Sequence, residues 1–314
     1  MSAIYLTEQD VRELVDMESA VEAVEGAFRA LADATAEDVP RQRARATGVM
    51  LHSMSAAATY LGLVGWKSYT TTRTAARFLV ALYETSGELA ALIEADHLGC
   101  LRTGAATGVA ARALAPEVEA AGLFGAGHQA RTQLAALAQV LPLRRATVYA
   151  RTAATRERFA AQQSAELGFE VRAAARPEEA ARELPLVVTI TNSREPVVEP
   201  AWIADDALVC AAGSNAIGRS ELGAELVGRA KHVVCDTLRS CRNEAGELVA
   251  AADAGAFRWD DAIELGPIVR GTTAAPTSGL RIFKSVGLAI EDVALGAVVL
   301  ERARRTGRGT ALPF

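Results

Sequence analysis

The sequence predicts an α/β protein centred on a Rossmann-type, doubly wound parallel sheet. Three observations support this class. A glycine-rich turn, Gly125-Ala-Gly-His-Gln-Ala130, joins an apolar run to a helical pattern, as in the first unit of a dinucleotide-binding fold. Strand-like and helix-like segments alternate after residue 119, which favours a parallel sheet. Before residue 95, short alternating runs separated by turn residues predict a second, mostly antiparallel sheet.

Composition narrows the class of protein and its compartment. Half of the 314 residues are hydrophobic, which is enough for two domains with buried cores. A net charge of −5 gives no basic field for nucleic acid or for an anionic membrane surface. The first ten residues contain no apolar run, and no later stretch is apolar for long enough to span a bilayer. We therefore expect a cytoplasmic protein.

The cysteines indicate neither disulfides nor a metal centre. The four cysteines form no CxxC pair, and only His232 precedes one of them, Cys235, at a metal-ligand spacing. We expect reduced, buried thiols and no metal site.

The N-terminal segment predicts two short amphipathic helices followed by a charged, extended stretch. Thr7-Glu-Gln-Asp10 has the form of a helix N-terminus, and apolar residues recur at helical spacing after it. Beyond Pro40, Arg41, Arg43 and Arg45 occupy alternate positions, so an extended backbone would place all three on one face. Such a row is typical either of a solvated edge strand or of a ligand-binding face.

The antiparallel sheet contains a lysine in an unusual position. Its strands are predicted at residues 49–54, 61–69, 78–83 and 89–94. Lys67 lies among apolar and β-forming residues of the second of these strands. Its aliphatic chain could extend so that the ammonium reaches solvent, or the ammonium could bind an anion or a carbonyl group. The sequence leaves both interpretations open.

A helix with many small residues follows the sheet. The pattern from His97 to Leu114 is helical, and Gly104 and Ala105 permit close backbone packing. Arg102 stands among these small residues. Pro116 marks a boundary before the nucleotide segment.

The nucleotide segment carries polar residues where ligands bind in doubly wound sheets. Its strands are predicted at 121–124, 146–150, 170–172, 186–190, 207–211 and 232–235, with helices that include 155–167 and 177–183. Thr191-Asn-Ser193 follows the fourth strand and Gly213-Ser-Asn215 the fifth. Ligands of such sheets bind at the carboxyl ends of the strands. A strand at 280–283 and a helix at 286–303 end the pattern.

The glycine-rich turn has the chemistry that a dinucleotide needs. Gly125 allows a tight turn, Gly127 lets the backbone approach a pyrophosphate, and Ala130 permits close helix–strand packing. The N–H groups at the start of the helix face the anion. The same letters also occur in ordinary tight turns, but the strand–helix–strand context favours the dinucleotide site.

The residues after the second nucleotide strand favour NADP over NAD, although NAD stays possible. NAD-selective folds place an acidic residue there to bind the ribose hydroxyls. In this chain the place is taken by Arg151, followed by Thr152 and Arg156. A guanidinium can bind a 2′-phosphate bidentately, whereas a carboxylate would repel it.

Five segments together resemble the ornithine cyclodeaminase/μ-crystallin family of NAD(P)-dependent proteins. They are Val39-Pro-Arg41, Gly65-Trp-Lys67, Leu101-Arg-Thr-Gly-Ala105, Gly125-Ala-Gly-His-Gln-Ala130 and Phe283-Lys-Ser-Val-Gly-x-Ala-x-Glu-Asp292. The resemblance implies a homodimer. It also implies a discontinuous α+β substrate and dimerisation domain, residues 1–116 and 281–314, around a Rossmann domain, residues 117–280.

The resemblance also implies roles for single residues. Arg41, Lys67 and Arg102 would hold the carboxylate of a small amino or imino acid, with Arg43 as the alternative to Arg41. Lys67 could also polarise a carbonyl or transfer a proton. The resemblance and the reasoning above give these cofactor contacts: Gly125, Gly127, His128, Gln129, Arg151, Thr152, Arg156, Thr191, Gly213, Ser214, Asn215, Ala216, Arg219, Ser285 and Val286.

One departure from the family pattern bears on the reaction. Cyclodeaminase-type members carry an aspartate where this chain has Asn215, and an amide cannot act as a general base. Alternatively, Asn215 only caps the next helix. The leading hypothesis is an NAD(P)H-dependent oxidoreductase that reduces a small α-imino acid or interconverts α-keto and α-amino acids. The alternatives are a cyclodeaminase with tightly bound NAD and a non-catalytic NADPH-binding protein.

Overall fold

A computed structural model describes residues 2–313 of the chain. The strands are β1 (Ile4–Leu6), β2 (Ala36–Ala46), β3 (Val49–Ala58), β4 (Leu63–Thr71), β5 (Ala76–Glu84), β6 (Leu89–Glu94), β7 (Ala120–Phe124), β8 (Arg145–Tyr149), β9 (Glu170–Ala173), β10 (Leu186–Thr189), β11 (Leu208–Ala211), β12 (His232–Cys235), β13 (Ile263–Glu264), β14 (Arg281–Lys284) and β15 (Thr310–Ala311). The helices are α1 (Glu8–Leu14), α2 (Met17–Ala32), α3 (Asp96–Leu114), α4 (His128–Val140), α5 (Ala153–Leu167), α6 (Ala224–Arg229), α7 (Leu238–Glu244), α8 (Gly246–Asp253), α9 (Leu265–Arg270) and α10 (Ala289–Thr306).

The chain forms two compact units. The first unit joins the chain up to Arg102 with the chain from Leu288 onward, and the second unit is Thr103–Gly287. The helix α3 therefore begins in the first unit and ends in the second. These limits differ from the predicted domain limits of 116/117 and 280/281. The second limit differs because of β14. The prediction assigned this strand to the substrate domain, but it pairs with a neighbour on each side within the parallel sheet.

The first unit is built on a seven-stranded sheet in the order β15-β1-β6-β5-β4-β3-β2. Its neighbours are antiparallel except β1 and β6, which confirms the predicted antiparallel sheet. The helix α10 packs on β2 to β5 and on α2. Gly65 makes the close approach possible, because a Cβ there would lie 2.9 Å from Cγ2 of Val293 on α10.

A β-bulge in β2 separates the three alternating arginines. The register with β3 shifts between Val39 and Gln42, and a bulge re-aims the side chains beside it. Arg41 is buried, whereas Arg43 and Arg45 are exposed. The three arginines, predicted to lie on one face of an extended strand, therefore differ in burial.

The second unit is an eight-stranded, fully parallel sheet in the order β13-β12-β14-β11-β10-β7-β8-β9. The predicted strands of the nucleotide segment agree with the observed ones to within one residue at each end. β7 has β8 on one side and β10 on the other, so the strand order reverses there. Ligands of doubly wound sheets bind at such a switch point. The predicted helix at 177–183 is only a 3-10 turn, Pro177–Ala180.

Two further findings concern the cysteines and the length of the apolar helices. Cys100, Cys210, Cys235 and Cys241 are buried, as predicted. Within residues 2–313, no helix combines the length and the apolar character that crossing a bilayer requires.

Candidate functional site

A cavity of about 750 Å³ lies in the second unit, at the switch point of the parallel sheet. It opens at the carboxyl ends of β7, β8, β10 and β11, as predicted for a nucleotide site. Its lining consists of Phe124, Gly125, Ala126, Gly127, His128, Gln129, Tyr149, Ala150, Arg151, Ile190, Thr191, Asn192, Ser193, Arg194, Val197 and Gly213.

The glycine-rich turn has the backbone geometry that a pyrophosphate cradle requires. Gly125 adopts a φ of 119°, and a Cβ there would lie 2.4 Å from the carbonyl oxygen of Ile190, so a side chain is excluded. Gly127 is the N-cap of α4, and a Cβ at Gly127 would point into open space. The N-terminus of α4 therefore has room for an anion beside its first turn. These features fit a dinucleotide.

Two cations are among the lining residues of the cavity. Arg151 follows β8 and Arg194 follows β10, and no Asp or Glu is among the described lining residues. Arg156 has another role, because its Nη1 donates to the carbonyl oxygen of Ala150 at 3.0 Å and its guanidinium lies over the ring of Tyr149. Sequence reasoning found Arg151 and missed Arg194, which comes from a different loop.

The structure divides the predicted cofactor residues into two sets. Seven line the cavity: Gly125, Gly127, His128, Gln129, Arg151, Thr191 and Gly213. The others are outside its lining: Thr152, Arg156, Ser214, Asn215, Ala216, Arg219, Ser285 and Val286. Ser285 and Val286 follow β14 directly and are buried. Their contact with a cofactor stays a prediction.

Asn215 lies half-buried in the loop after β11. The next α-helix, α6, begins at Ala224 with Gly223 as its N-cap. The alternative that Asn215 caps the following helix is therefore wrong, and its role in chemistry stays open to test.

The first unit contains a buried cluster of cations and carboxylates. Lys67 on β4 donates from Nζ to Oδ1 of Asp292 at 2.7 Å, and Nε of Arg102 on α3 donates to the same oxygen at 3.1 Å. Nη1 of Arg102 also donates to Oε2 of Glu291 at 2.9 Å. All four side chains are buried. Two of the three predicted carboxylate-binding residues thus meet at one oxygen atom.

The electrostatics of the cluster keep Lys67 close to losing its proton. Burial, together with the charges of Arg102 and Arg41, lowers the pKa of Lys67 to about 8, although Asp292 opposes the shift. Burial also lowers the pKa of Arg102, but Asp292 and Glu291 outweigh burial and the net pKa is raised. Lys67 is the titratable cation of the cluster, and Arg102 is permanently charged.

Arg41 belongs to the same cluster. It is only 6% exposed, and its charge acts on both Lys67 and His52. Arg43 is exposed on the same strand. The burial of Arg41 supports it over Arg43 as the residue that completes the predicted triad.

The surroundings of Lys67 are shaped by a glycine and an aromatic stack. A Cβ at Gly99 of α3 would lie 2.8 Å from Nζ of Lys67, so only glycine leaves room for the ammonium. Tyr69 stacks on His52 at 4.2 Å and on Phe78 at 5.0 Å between ring centroids. Burial and two arginines lower the pKa of His52 to about 4, so its ring is neutral at pH 7. The wall beside the cations is therefore aromatic and uncharged.

Sequence reasoning missed the acidic partners. Asp292 and Glu291 were part of the C-terminal motif but had no predicted role. The signal was present in their position, since two adjacent acids begin a helix that is otherwise strongly buried. Which cation they bind depends on the packing of α10 against β4, which a single sequence does not reveal.

Comparisons with known proteins agree with this geometry. The model of the ornithine cyclodeaminase/mu-crystallin family matches residues 1–307. An alanine dehydrogenase of Archaeoglobus fulgidus is 31% identical, over 100% of this chain and 99% of that protein. The Δ1-pyrroline-2-carboxylate reductase of Thermococcus litoralis, solved with NADH and L-proline, superposes with a TM-score of 0.94 at 29% identity, covering 98% of this chain and 100% of that one. An archaeal alanine dehydrogenase dimer with bound NAD superposes with a TM-score of 0.93 at 30% identity, covering 100% of both chains.

Proposed function

Because the chain belongs to the ornithine cyclodeaminase/mu-crystallin family, we propose that it is an NAD(P)H-dependent oxidoreductase of small α-imino or α-amino acids. It would reduce a ketimine or a cyclic imine, or interconvert an α-keto and an α-amino acid. The observation that carries the proposal is the convergence of Lys67 and Arg102 on Asp292, with the charge of Arg41 acting on Lys67. Buried cations of this kind bind a carboxylate with little competition from water.

The cluster offers a partner for each end of such a substrate. Arg41, Lys67 and Arg102 would bind the carboxylate and fix the adjacent carbon. Asp292 Oδ2 is buried and, within residues 2–313, has no hydrogen-bond partner, so it would accept from an N–H of a substrate that enters the cluster. When bound, the dinucleotide supplies the hydride. Lys67, with a pKa of about 8, holds a proton at neutral pH and can release it to the substrate.

The preferred cofactor in this proposal is NADP(H). Relatives of the chain bind NAD(H) in their solved structures. In this chain, however, the guanidiniums of Arg151 and Arg194 and the lack of an acid in the lining would favour a 2′-phosphate over a free ribose hydroxyl.

The test is a turnover assay with a defined panel. The purified chain is mixed with NADPH or NADH and with pyrroline-2-carboxylate, piperideine-2-carboxylate, or pyruvate plus ammonia, and the absorbance of the reduced cofactor is followed. Oxidation that Lys67→Met lowers at least about a hundredfold supports the proposal. An absence of oxidation across the panel, with unchanged ligand binding by Lys67→Met, would overturn it.

The same preparation tests the cyclodeaminase alternative. That reaction releases ammonia from ornithine without net oxidation of the cofactor. Asn215 argues against it, because an amide has no useful pKa for proton abstraction. Ammonia release from ornithine, without consumption of NADPH, would replace our proposal by this one.

We also propose a cytoplasmic homodimer. Four buried thiols without disulfides are typical of a reducing compartment. On the sheet of the first unit, Val64 and Trp66 point away from the face that carries Lys67 because side chains alternate along β4. Val64 is 42% exposed, and with Val39, Trp66 and Tyr83 it lines a shallow cavity of about 280 Å³. An apolar sheet face suits a second copy, and one related structure is a dimer.

A further inference from the structure

We propose that Glu221 is the positioning residue of the cofactor site, because it ties together the two loops that form one wall of the cavity. These are the β10 loop, Thr191–Ser193, and the β11 loop, Gly213–Asn215. The proposal rests on the proposed use of the cavity for a dinucleotide. Glu221 itself is outside the cavity lining and fully buried, so it would act only through the loops.

The carboxylate of Glu221 accepts four hydrogen bonds. Its Oε1 accepts from the backbone N–H of Thr191 at 2.6 Å and from the Thr191 hydroxyl at 2.7 Å. Its Oε2 accepts from the backbone N–H of Gly213 at 2.7 Å and from the hydroxyl of Thr189 at 3.0 Å. Thr191 and Gly213 both line the cavity. One buried side chain therefore fixes the position of two lining residues from adjacent strands.

These hydrogen bonds hold the two loops in one arrangement. The Thr191 hydroxyl donates to Glu221, so its lone pairs are left to accept the backbone N–H of Ser193 at 3.2 Å. A Cβ at Gly213 would lie 2.3 Å from the backbone of Thr191 and 2.5 Å from Oε1 of Glu221. The loops therefore touch backbone to backbone, with the carboxylate between them.

The position of Glu221 requires a carboxylate rather than an amide. An ionised carboxylate only accepts hydrogen bonds, and all four contacts are donors. Burial raises the pKa of Glu221, while the charge of Lys284 and the donors from Thr191 and Gly213 oppose that shift. Nζ of Lys284 donates to the carbonyl oxygen of Ser214 at 2.7 Å, so it holds the β11 loop from another side. In either orientation a glutamine would set its N–H₂ group against one of the two backbone N–H groups, which cannot accept a hydrogen bond.

The experiment compares Glu221→Gln with Glu244→Gln. Both glutamates are buried in the second unit and outside the cavity lining, but the hydrogen bonds from Thr189, Thr191 and Gly213 go to Glu221. Dissociation constants of NADPH and NADH are measured by nucleotide fluorescence, alongside the thermal midpoint and the steady-state constants. For Glu221→Gln we expect cofactor binding to weaken about tenfold to a hundredfold, as for disrupted hydrogen bonds to a charged group. The KM of the cofactor should rise far more than kcat falls.

The outcomes separate this inference from the proposed function. If the wild-type chain binds neither dinucleotide, the proposed function fails. If the wild type binds and Glu221→Gln binds equally well, or if Glu244→Gln weakens binding as much, the positioning role is overturned. If Glu221→Gln does not fold, Thr189→Val decides, because it removes one donor from the buried carboxylate while keeping the side-chain shape. A severalfold loss of cofactor affinity supports the role, and unchanged affinity overturns it.

Discussion

Lys67 and Asp292 form a buried ion pair, with 2.7 Å between Nζ and Oδ1, although 225 residues separate them in the chain. The pair joins the sheet of the first unit to the start of α10. Burial disfavours the charge on Lys67, and Asp292 is the main group that restores it. The protonation of the proposed substrate site therefore depends on a residue near the end of the chain.

This dependence predicts a pH profile. The carboxylate of a substrate binds protonated Lys67, and the ammonium loses its proton as the pH rises through about 8. We therefore expect kcat/KM to fall above about pH 8. Asp292→Asn removes the carboxylate that raises the pKa of Lys67, so the decline should begin at lower pH.

Glu291→Gln is the matched control for that profile. Glu291 is equally buried, but it bonds Arg102, whose guanidinium does not titrate in this range. We expect this variant to lose activity without moving the alkaline decline. A decline at the same pH in wild type and Asp292→Asn would contradict the role that we give to the pair.

Gly99→Ala should displace the ammonium of Lys67. Alanine in the first turn of α3 favours the helix over glycine by up to about 1 kcal/mol, but its Cβ would lie 2.8 Å from Nζ of Lys67. The flexible lysine can move away, but its ammonium then leaves the buried carboxylate of Asp292, which costs stability as well as activity. We expect a kcat/KM at least about tenfold lower and a thermal midpoint below that of the wild type.

Gly26→Ala in α2 provides the comparison. It gives the same gain in helix propensity, but a Cβ at Gly26 meets no atom within 4 Å. Its activity should equal that of the wild type. If Gly99→Ala is as active as Gly26→Ala, the position of the ammonium does not limit the reaction.

The two arginines in the cavity lining predict how charge substitutions change the preference between NADPH and NADH. Arg151→Asp should shift preference towards NADH, because a carboxylate repels a 2′-phosphate. Arg194→Ala should weaken the binding of NADPH by about tenfold and leave the binding of NADH nearly unchanged, because we propose that its guanidinium binds only the 2′-phosphate. The ratio of kcat/KM for the two cofactors measures both effects. A strong preference of the wild type for NADH would contradict the assignment.

Local patterns were sufficient to predict the parallel sheet and its ligand-binding edge. The turn at Gly125 requires a positive φ, and the strands around it are continuous apolar runs, so both features are visible in the sequence. The limit near residue 281 was not predictable in the same way. β14 follows a polar linker, and only its pairing with β11 and β12 assigns it to the second unit.

The sequence predicted the cationic residues of the candidate site but not the acidic ones. Lys67 and Arg102 were conspicuous because a charge among apolar or small residues needs a reason. Asp292 and Glu221 were not, because an acid near a helix or in a loop is usually solvated. Their importance comes from long-range packing: α10 reaches β4 through the gap at Gly65, and Glu221 lies between two loops that are distant in sequence.

The exposed sheet face of the first unit predicts how the proposed dimer can be dissociated. Val64→Asp places a charge on the apolar face of β4 without touching Lys67, whose side chain points to the other face. If that face joins two copies, burying an unpaired charge there should raise the dimer dissociation constant by about a hundredfold or more, which light scattering after size exclusion would detect. Ile217→Asp is the control, because Ile217 is 56% exposed and lies in the second unit. A dimer that persists in Val64→Asp and dissociates in Ile217→Asp would move the interface to the second unit.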